Sequence, residues 1–463
     1  MIDSKDILSL LSIPSEDISS VYFIPDSEDI SFIEIELKDS RPTCPFCHSS
    51  KINIKDYYTT KIKNSVIRNN KLIVKVRMRR YVCKTCKKTF KQPFSFYKDK
   101  HSISKKVEDI IKNMLMNRVT MEYIAKELNV SKKTIINILD DMPNPIRLPF
   151  KNVICLDEFH FSNANHKAGK YPCVISNPFN SEIIDIVESR RKDYLIDYFQ
   201  RIPSSERYNV KYYISDMNDT YKFIHNAFFP NSVYIVDHFH IVKLFTDAIQ
   251  SIRIKIMNEY EETKEYKYLK SNWKLFLTNR WNLKDSVYVN KKTGVVYYTL
   301  DKIDMVLKAY PELSEIYWSK DYFSSSVLKL KEYEETKELI DFFIQKFENS
   351  AVKEIRKISR TFKNWYHEII NAYSKNTYGV VLTNAMAESN NNYIQTMINI
   401  SYGYTNFKRL RKRILYMSSY KKSNWEMNLS YLVWPHKNQR LFILVDPIKP
   451  HKIQQSQLMR CNV

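Results

Sequence analysis

Two pairs of cysteines constrain what the first hundred residues can fold into. Cys44 and Cys47 flank one tight turn, and Cys83 and Cys86 flank another. Two such turns can supply four thiolates to a tetrahedral zinc ion, so all four cysteines are predicted to hold structural zinc in a ribbon over residues 41–100. The alternatives are two unrelated turns or a redox pair, and redox chemistry requires only one C-x-x-C pair.

The charge of the chain indicates a polyanionic partner. Lysine and arginine number 73 against 51 acidic residues, a net charge of +22. Just before the second cysteine pair, Lys75, Arg77 and Arg79 alternate with apolar residues, so on a strand they would share one face. Such a face suits contact with DNA phosphates, although a charged strand face can also be merely solvated. With only four glycines, the chain lacks the glycine-rich loops of common nucleotide-binding folds.

Residues 101–149 are predicted to form a helix-turn-helix domain. Thr120 and Ser131 are suitable helix N-caps, and the apolar residues between them and beyond fit two short helices packed across a turn. A Pro-rich stretch then marks a domain boundary near residue 149. The second helix would present polar residues to the major groove of DNA, although a generic helical hairpin gives a similar pattern. The predicted contacts are Lys132, Lys133, Thr134 and Asn137.

Short runs rich in Val, Ile and Tyr follow between residues 150 and 250, and they predict a mixed α/β sheet. Two of these strands end in carboxylates, Asp157 and Asp216. Neighbouring strands would bring both groups to one sheet edge, where Mg²⁺ or Mn²⁺ could bind. Glu388, on a polar helix face with Asn391, Asn392 and Gln395, is the candidate for a third carboxylate.

Other polar residues compete for places in this site. Asp237 also ends a strand and is a secondary candidate for the second metal carboxylate. His238 and His240 follow it and could orient phosphates or fill the start of a helix. Asn391 is a further secondary candidate, and Glu158 is expected either to support the site from outside it or to lie on the surface.

The rest of the chain is predicted to be mainly helical. Residues 251–374 form a helical segment with Trp273, Trp281, Trp318 and Trp365 as expected core anchors, and residues 375–417 form the helices that carry Glu388. Residues 1–40 are a small lead-in segment, and residues 418–463 a basic, irregular tail. A basic run near residue 410 is expected to grip DNA or to form a solvated helix face. Its members are Lys408, Arg409, Arg411, Lys412 and Arg413.

The order of these motifs resembles the ISL-three family of bacterial insertion-sequence transposases over roughly residues 40–417. The resemblance rests on the cysteine pairs, the helical pair, Leu156-Asp-Glu-Phe159, Ser215-Asp-Met-Asn-Asp-Thr-Tyr221, Phe229-Pro-Asn-Ser-Val-Tyr-Ile-Val-Asp-His-Phe-His-Ile-Val-Lys243, Ala387-Glu-Ser-Asn-Asn391 and the basic run. It implies a ribonuclease-H-like core whose DDE triad is Asp157, Asp216 and Glu388, with an all-helical insertion before the glutamate. The sequence departs from the family pattern at His238, where Arg is usual, and at Gln395, where Lys is usual.

The expected fold is therefore a multidomain α+β protein: zinc ribbon, helix-turn-helix, and a ribonuclease-H-like α/β catalytic core interrupted by an all-α insertion. The expected function is a DNA transposase that binds terminal inverted repeats and performs Mg-dependent strand cleavage and transfer. The alternatives are a zinc-dependent DNA-binding regulator without catalysis and a metal-dependent nuclease of the same core. The expected partners are double-stranded DNA and further copies of the chain. The expected location is the bacterial cytoplasm, at the nucleoid when DNA is bound, with no membrane association.

Overall fold

A computed structural model describes residues 8–9, 11–26, 30–67, 70–98, 102–162, 167–180, 182–259, 264–289, 294–400, 404 and 406–432. All of the sheets and both candidate sites lie in the compact unit that ends at Ser418. No helix among the described residues is long and apolar enough to cross a membrane.

The first sheet joins the predicted lead-in segment to the cysteine module. Its strands follow the order β1-β2-β4-β3, with the short β5 paired to β4. Strand β2 runs parallel to β4, and the apolar residues of both strands bury one face of the sheet. The lead-in segment over residues 1–40 therefore contributes two strands, and its β2 pairs with β4 of the cysteine module. The strands are β1 Ile18–Asp26, β2 Ile30–Leu37, β3 Ile52–Ile67, β4 Asn70–Cys83 and β5 Thr89–Lys91.

Three short helices follow, α1 Lys105–Leu115, α2 Met121–Glu127 and α3 Lys132–Asp141, called here the N-terminal helical unit. The predicted caps are confirmed, since the Thr120 hydroxyl accepts a hydrogen bond from the Tyr123 amide and the Ser131 hydroxyl accepts one from the Thr134 amide. Lys63 of β3 donates to the Asn129 carbonyl in the turn between α2 and α3, at 2.5 Å. This bond ties the helical unit to the first sheet.

The second sheet has the order β10-β9-β6-β7-β8. Strand β7 is antiparallel to both of its neighbours, β6 and β8, whereas β9 and β10 run parallel to β6. Nearly every residue of these strands is buried, which explains their continuous apolar runs. The strands are β6 Val153–Glu158, β7 Cys173–Asn177, β8 Glu182–Val187, β9 Tyr212–Ser215 and β10 Val233–Val236, and the associated helices are α4 Lys192–Gln200, α5 Ser204–Tyr208, α6 Asp219–Phe228 and α7 His238–Glu259.

The segment before the Glu388 helix is helical as predicted, apart from a small hairpin. Helix α7 packs against α11 and α13 and extends the core of the second sheet into this segment. Of the four tryptophans, only Trp365 is buried; Trp273, Trp281 and Trp318 are each more than a third exposed, so the prediction of core anchors is wrong for these three. The elements are α8 Lys264–Ser271, α9 Trp273–Leu277, a 3-10 turn Arg280–Asn282, β11 Val287–Val289, β12 Val296–Tyr298, α10 Thr299–Ala309, α11 Pro311–Ser326, α12 Tyr333–Glu348, α13 Lys353–Asn364 and α14 Tyr366–Tyr373.

Two further helices complete the described chain, α15 Ala385–Ile400 and α16 Phe407–Leu432. Helix α15 lies against β6 and β7, and buried residues of α15 and α16 share one core with the N-terminal helical unit and strand β8. The predicted irregular tail is helical up to Leu432, and its remainder, residues 433–463, lies outside the described residues.

Candidate active site and nucleic-acid interface

A cluster of carboxylates lies where strands β6 and β9 end. Because β6 and β9 are parallel neighbours, Asp157 and Asp216 reach the same edge of the sheet. Oxygen atoms of Asp157, Glu158 and Asp216 lie within 4.8 Å of one another. The predicted proximity of the two strand-end aspartates is thus observed, in a position that can offer hard oxygen ligands to a divalent cation.

The electrostatics of this cluster favour a bound cation. Burial, with the nearby charge of Asp216, raises the pKa of Asp157 to about 7. Asp216 Oδ1 is buried, and Nδ1 of His240 lies 3.0 Å from it. Carboxylates held this close repel each other unless a cation or a proton offsets their charge. The residues present therefore fit a divalent metal ion.

Glu158 belongs to the cluster by distance, but its oxygens already have partners. Its Oε1 accepts a hydrogen bond from the Arg190 guanidinium, and its Oε2 accepts one of 2.5 Å from the Tyr221 hydroxyl. These contacts agree with a supporting position for Glu158. Arg190 and Tyr221 are absent from the sequence prediction, since no local pattern links either residue to the end of β6.

Asp237, the competing strand-end carboxylate, is engaged in a second group with Asp216 and His240. Asp237 is 5% exposed, and its Oδ1 accepts a hydrogen bond of 3.0 Å from the Asn384 amide at the start of α15. The Asn384 side chain in turn accepts a bond of 2.5 Å from the Cys155 thiol of β6. Asp237 therefore fixes the beginning of the Glu388 helix. Asn384 was missed in the sequence, although an Asn directly before a helical pattern is an N-cap signal.

The two histidines have different surroundings. His240 Nδ1 lies 3.0 Å from Asp216 Oδ1 and 3.4 Å from Asp237 Oδ2. Although burial opposes its charged form, these two carboxylates raise the pKa of His240 to about 10, so it supplies positive charge beside the cluster. His238 Nε2 donates to the Ala372 carbonyl at 2.6 Å, and burial lowers the pKa of its ring. His238 thus fills the start of α7 against α14.

Glu388 is exposed, and among the described residues its carboxylate is not part of either group. One turn further along α15, Asn391 Nδ2 donates to Asp157 Oδ2 at 2.8 Å and to the Glu158 carbonyl at 3.0 Å. Since residues three apart share a helix face, Glu388 lies on the face of α15 that is docked on β6. The structure brings together Asp157, Asp216 and Asn391, and it leaves Glu388 outside both carboxylate groups.

The four cysteines of the first sheet converge as predicted. Sγ of Cys44 lies 3.6 Å from that of Cys86, and Sγ of Cys47 lies 3.6 Å from that of Cys83. Ligand sulfurs about 2.3 Å from a tetrahedral zinc ion would lie about 3.8 Å apart. Backbone amides donate to the Cys83 sulfur and lower the pKa of its thiol to about 6. The group fits zinc in both spacing and chemistry.

The two cysteine turns have the same backbone geometry. In each, the amide of the residue after the second cysteine donates to the carbonyl of the first, His48 to Cys44 at 2.9 Å and Lys87 to Cys83 at 3.0 Å. Both His48 and Lys87 adopt left-handed conformations, with φ of 56° and 62°. Such matched turns aim two pairs of sulfurs at one point.

The basic face of β4 is present but partly neutralised. Lys75 Nζ lies 2.9 Å from a Glu34 carboxylate oxygen, and Arg77 lies 3.9 Å from Glu36, both on neighbouring β2. Arg79 donates to the Leu37 carbonyl at 2.6 Å. Tyr57 of β3 also contacts Arg77 and Arg79. The centroid of its ring lies 5.1 Å from the guanidinium carbon of Arg77 and 5.5 Å from that of Arg79.

The predicted residues of α3 are on its accessible side. Lys132 and Lys133 are exposed, and Thr134 and Asn137 are half-buried. Lys132 Nζ is 3.9 Å from a Glu122 oxygen, and the Thr134 hydroxyl lies 2.8 Å from that of Ser131. In these positions the side chains of Lys132 and Lys133 can contact a molecule that binds to α3.

The basic run on α16 has a different role from the predicted one. Lys412 and Arg413 are 7% and 1% exposed, so the prediction that they grip DNA is wrong. Arg409 and Arg411 form ion pairs with Asp140 and Asp185. Of the five residues, only Lys408 is exposed.

Comparison with known proteins gives three matches. A transposase family model of the ISL3 (ISL-three) DDE type matches residues 154–414, which include both aspartates and Glu388. A model described as the zinc-finger of transposase IS204/IS1001/IS1096/IS1165 matches residues 40–86, which include the four cysteines. The transposase for insertion sequence element IS1001 from Bordetella parapertussis is 23% identical over 256 residues. That similarity covers 54% of this chain and 57% of the Bordetella protein, a little over half of each.

Proposed function

This chain belongs to the ISL-three family of DDE transposases, and we propose that it cuts and joins DNA at the ends of an insertion sequence. The observation that carries the proposal is the meeting of Asp157 and Asp216 at the ends of parallel strands within the family's catalytic region. Both side chains are partly buried.

We propose that residues 150–250 and 375–417 form a ribonuclease-H-like core, interrupted by the helical insertion 251–374. The strand order supports this assignment: β8, β7 and β6 are antiparallel, and β9 and β10 extend the sheet in parallel beside β6. Helix α15 lies across β6 and β7, which returns the chain to the carboxylate edge after the insertion.

In the proposed reaction Asp157, Asp216 and Glu388 hold Mg²⁺ or Mn²⁺. The ions supply activation of water or a 3′-hydroxyl and stabilisation of the leaving oxygen. Asn391 orients the Asp157 carboxylate through its bond to Oδ2, and Arg190 with Tyr221 holds Glu158. Glu388 would be the third ligand, from the face of α15 that Asn391 docks on β6.

The proposed DNA contacts lie on two separate elements. Exposed lysines and polar residues of α3 (Lys132, Lys133, Thr134 and Asn137) would enter a groove as the second helix of a helix-turn-helix. The basic face of β4, with Lys75, Arg77 and Arg79, would contact phosphates and position the element end without reading its bases. A zinc ion at the four cysteines would hold that strand in place. Lys408 is a further proposed phosphate contact.

We propose that two copies act together, because joining requires two element ends to be held at once. The partner is double-stranded DNA in both its roles, as element end and as target.

The test is an assay of the full-length protein on a duplex that carries the inverted repeats flanking its gene. With Mg²⁺ or Mn²⁺, we expect strand cleavage at the repeat end followed by joining of the freed 3′-hydroxyl to a second duplex. Asp157→Ala and Asp216→Ala should abolish both steps while retaining binding of the repeat. Hydrolysed ends without any joined product would indicate a nuclease, and binding without cleavage in the wild type would indicate a regulator.

A further inference from the structure

Three basic residues on one face of α16, within little more than one turn, hold the N-terminal helical unit. We call Arg409, Lys412 and Arg413 the α16 clamp. Arg409 makes a two-point ion pair with Asp140 in the last turn of α3, with nitrogen–oxygen distances of 2.8 and 2.6 Å. Such a planar pair fixes orientation as well as distance.

Lys412 caps the carboxyl end of α3. Its Nζ donates to the carbonyls of Leu139 and Asp140 at 2.9 Å each, and to that of Met142. The last carbonyls of a helix have no partner within it and carry partial negative charge, so a buried ammonium satisfies them. Because Lys412 is buried, this cap also fixes the depth at which α3 sits on α16.

Arg413 binds the other helices of the unit. Its guanidinium donates to the Leu115 carbonyl at the end of α1, at 3.1 Å, and to the Asn117 and Val119 carbonyls in the loop before α2. It also donates to the Tyr404 hydroxyl at 2.7 Å. Burying an arginine costs free energy unless its N–H groups donate hydrogen bonds. In the observed arrangement these carbonyls accept those bonds.

The same region of α16 is bound to the catalytic sheet. Arg411 pairs with Asp185 of β8, whose side chain is 3% exposed, at 2.6 Å. Ile394 and Ile398 of α15 lie in one apolar cluster with Ile135 and Ile138 of α3. Helix α15 reaches Asp157 through Asn391. A continuous set of packed elements therefore links α3 to the metal-binding aspartates.

From these contacts we infer that the α16 clamp holds α3 at a fixed distance and angle from the carboxylate cluster, and so sets where the DNA is cut relative to the sequence bound by α3. The inference rests on the proposed function. In it, Arg409, Lys412 and Arg413 are positioning residues that act through helix α3 and touch no DNA themselves.

The Arg409–Asp140 pair allows a test by charge exchange, because both side chains are partly exposed and lie on the surface of the protein. Full-length wild type, Arg409→Asp, Asp140→Arg and the double variant are compared on one inverted-repeat duplex, and every cut is mapped to the nucleotide. The matched control is Arg201→Asp. This change breaks an exposed ion pair between Arg201, at the end of α4, and Asp197 of the same helix.

The wild type is expected to cut at one dominant position. Each single variant should bind the repeat but raise the share of misplaced cuts up to about five-fold, the effect of losing one partly exposed ion pair. The double variant and Arg409→Lys should recover the dominant position, which a general loss of stability would not produce. The Arg201→Asp control should cut as the wild type does.

Hydrogen exchange of the same proteins without DNA supplies a second measurement that does not depend on cleavage. The single variants should exchange α3 amides faster while β6 and β9 amides are unchanged, and the double variant should restore protection. Unchanged cut positions in both single variants, in a protein that cleaves the duplex, would overturn the inference whatever the exchange of the α3 amides shows. If the wild type never cleaves but the α3 amides exchange as expected in the variants, the proposed function is refuted. The clamp would then still be shown to hold α3.

Discussion

Asn391 of α15 donates a hydrogen bond of 2.8 Å to Oδ2 of Asp157 at the end of β6, across 234 positions of sequence. The same Nδ2 reaches the Glu158 carbonyl at 3.0 Å. One amide thus binds both the side chain and the backbone at the end of the strand. This contact orients a carboxylate proposed to bind metal and docks the helix that carries Glu388.

Replacing Asn391 by Ala is expected to slow DNA cleavage at least about ten-fold, because the Asp157 carboxylate loses its orientation. The free energy of unfolding should fall by about 1.5–3 kcal/mol, the usual contribution of a hydrogen bond to a charged group. Cleavage rates and urea unfolding measure the two effects. Asn392→Ala, at the exposed neighbouring position, is the control. Equal behaviour of the two variants would contradict the proposed role of Asn391.

The two strand-end aspartates near His240 are expected to differ in their effects. Asp216→Asn should reduce metal-dependent cleavage at least about a hundred-fold, since it removes a charged ligand from the site. Asp237→Asn should have a smaller effect, because an amide oxygen can still accept the Asn384 hydrogen bond. Measuring both rates over a range of Mg²⁺ concentrations distinguishes the roles. A larger loss of cleavage rate in Asp237→Asn than in Asp216→Asn would indicate that Asp237, and not Asp216, is the metal ligand.

Zinc content is expected to depend on the paired cysteines alone. Cys83→Ser should lower bound zinc well below one ion per chain and destabilise the first sheet, because the remaining thiolates no longer complete a tetrahedral site. Cys155→Ser, which changes a buried cysteine of β6, should retain full zinc content. Zinc content is measured by metal analysis of the purified proteins. Equal zinc content in the two variants would contradict the assignment of the zinc site.

Glycine at the left-handed positions of the cysteine turns should stabilise the ribbon. His48 and Lys87 have φ of 56° and 62°, where a side chain costs about 1 kcal/mol or more and glycine costs little. His48→Gly and Lys87→Gly should therefore raise the midpoint of unfolding in the presence of zinc. Lys88→Gly, one residue beyond the second turn, should not. Destabilisation by all three would show that the side chains of His48 and Lys87 matter more than their backbone conformation.

Local patterns in the sequence predicted several parts of this molecule correctly. The caps Thr120 and Ser131 can be recognised locally because a cap bonds to an amide three residues away. The proximity of Asp157 and Asp216 followed from their positions at the ends of apolar strands, since parallel neighbours share an edge.

The basic run on α16 shows why other parts could not be predicted. A lysine that caps a helix and a lysine that binds phosphate look the same in sequence, and the carbonyl partners of Lys412 lie as many as 273 positions away. The Asn391–Asp157 hydrogen bond could not be predicted for the same reason, because it joins residues 234 positions apart. The pairing of β2 with β4 could not be predicted for a related reason, because parallel strands are not joined by a short turn that the sequence would show.

The central claim, that Asp157 holds a divalent ion used in DNA cleavage, is tested most directly by a change of metal preference. In Asp157→Cys the ligand is sulfur, which Mg²⁺ accepts poorly and Mn²⁺ accepts better. We predict that cleavage of the inverted-repeat duplex by this variant is lost in Mg²⁺ and recovers substantially in Mn²⁺, whereas the wild type works with both. Cleavage by Asp157→Cys in Mg²⁺ at the wild-type rate, or an equal loss with both ions, would contradict the claim.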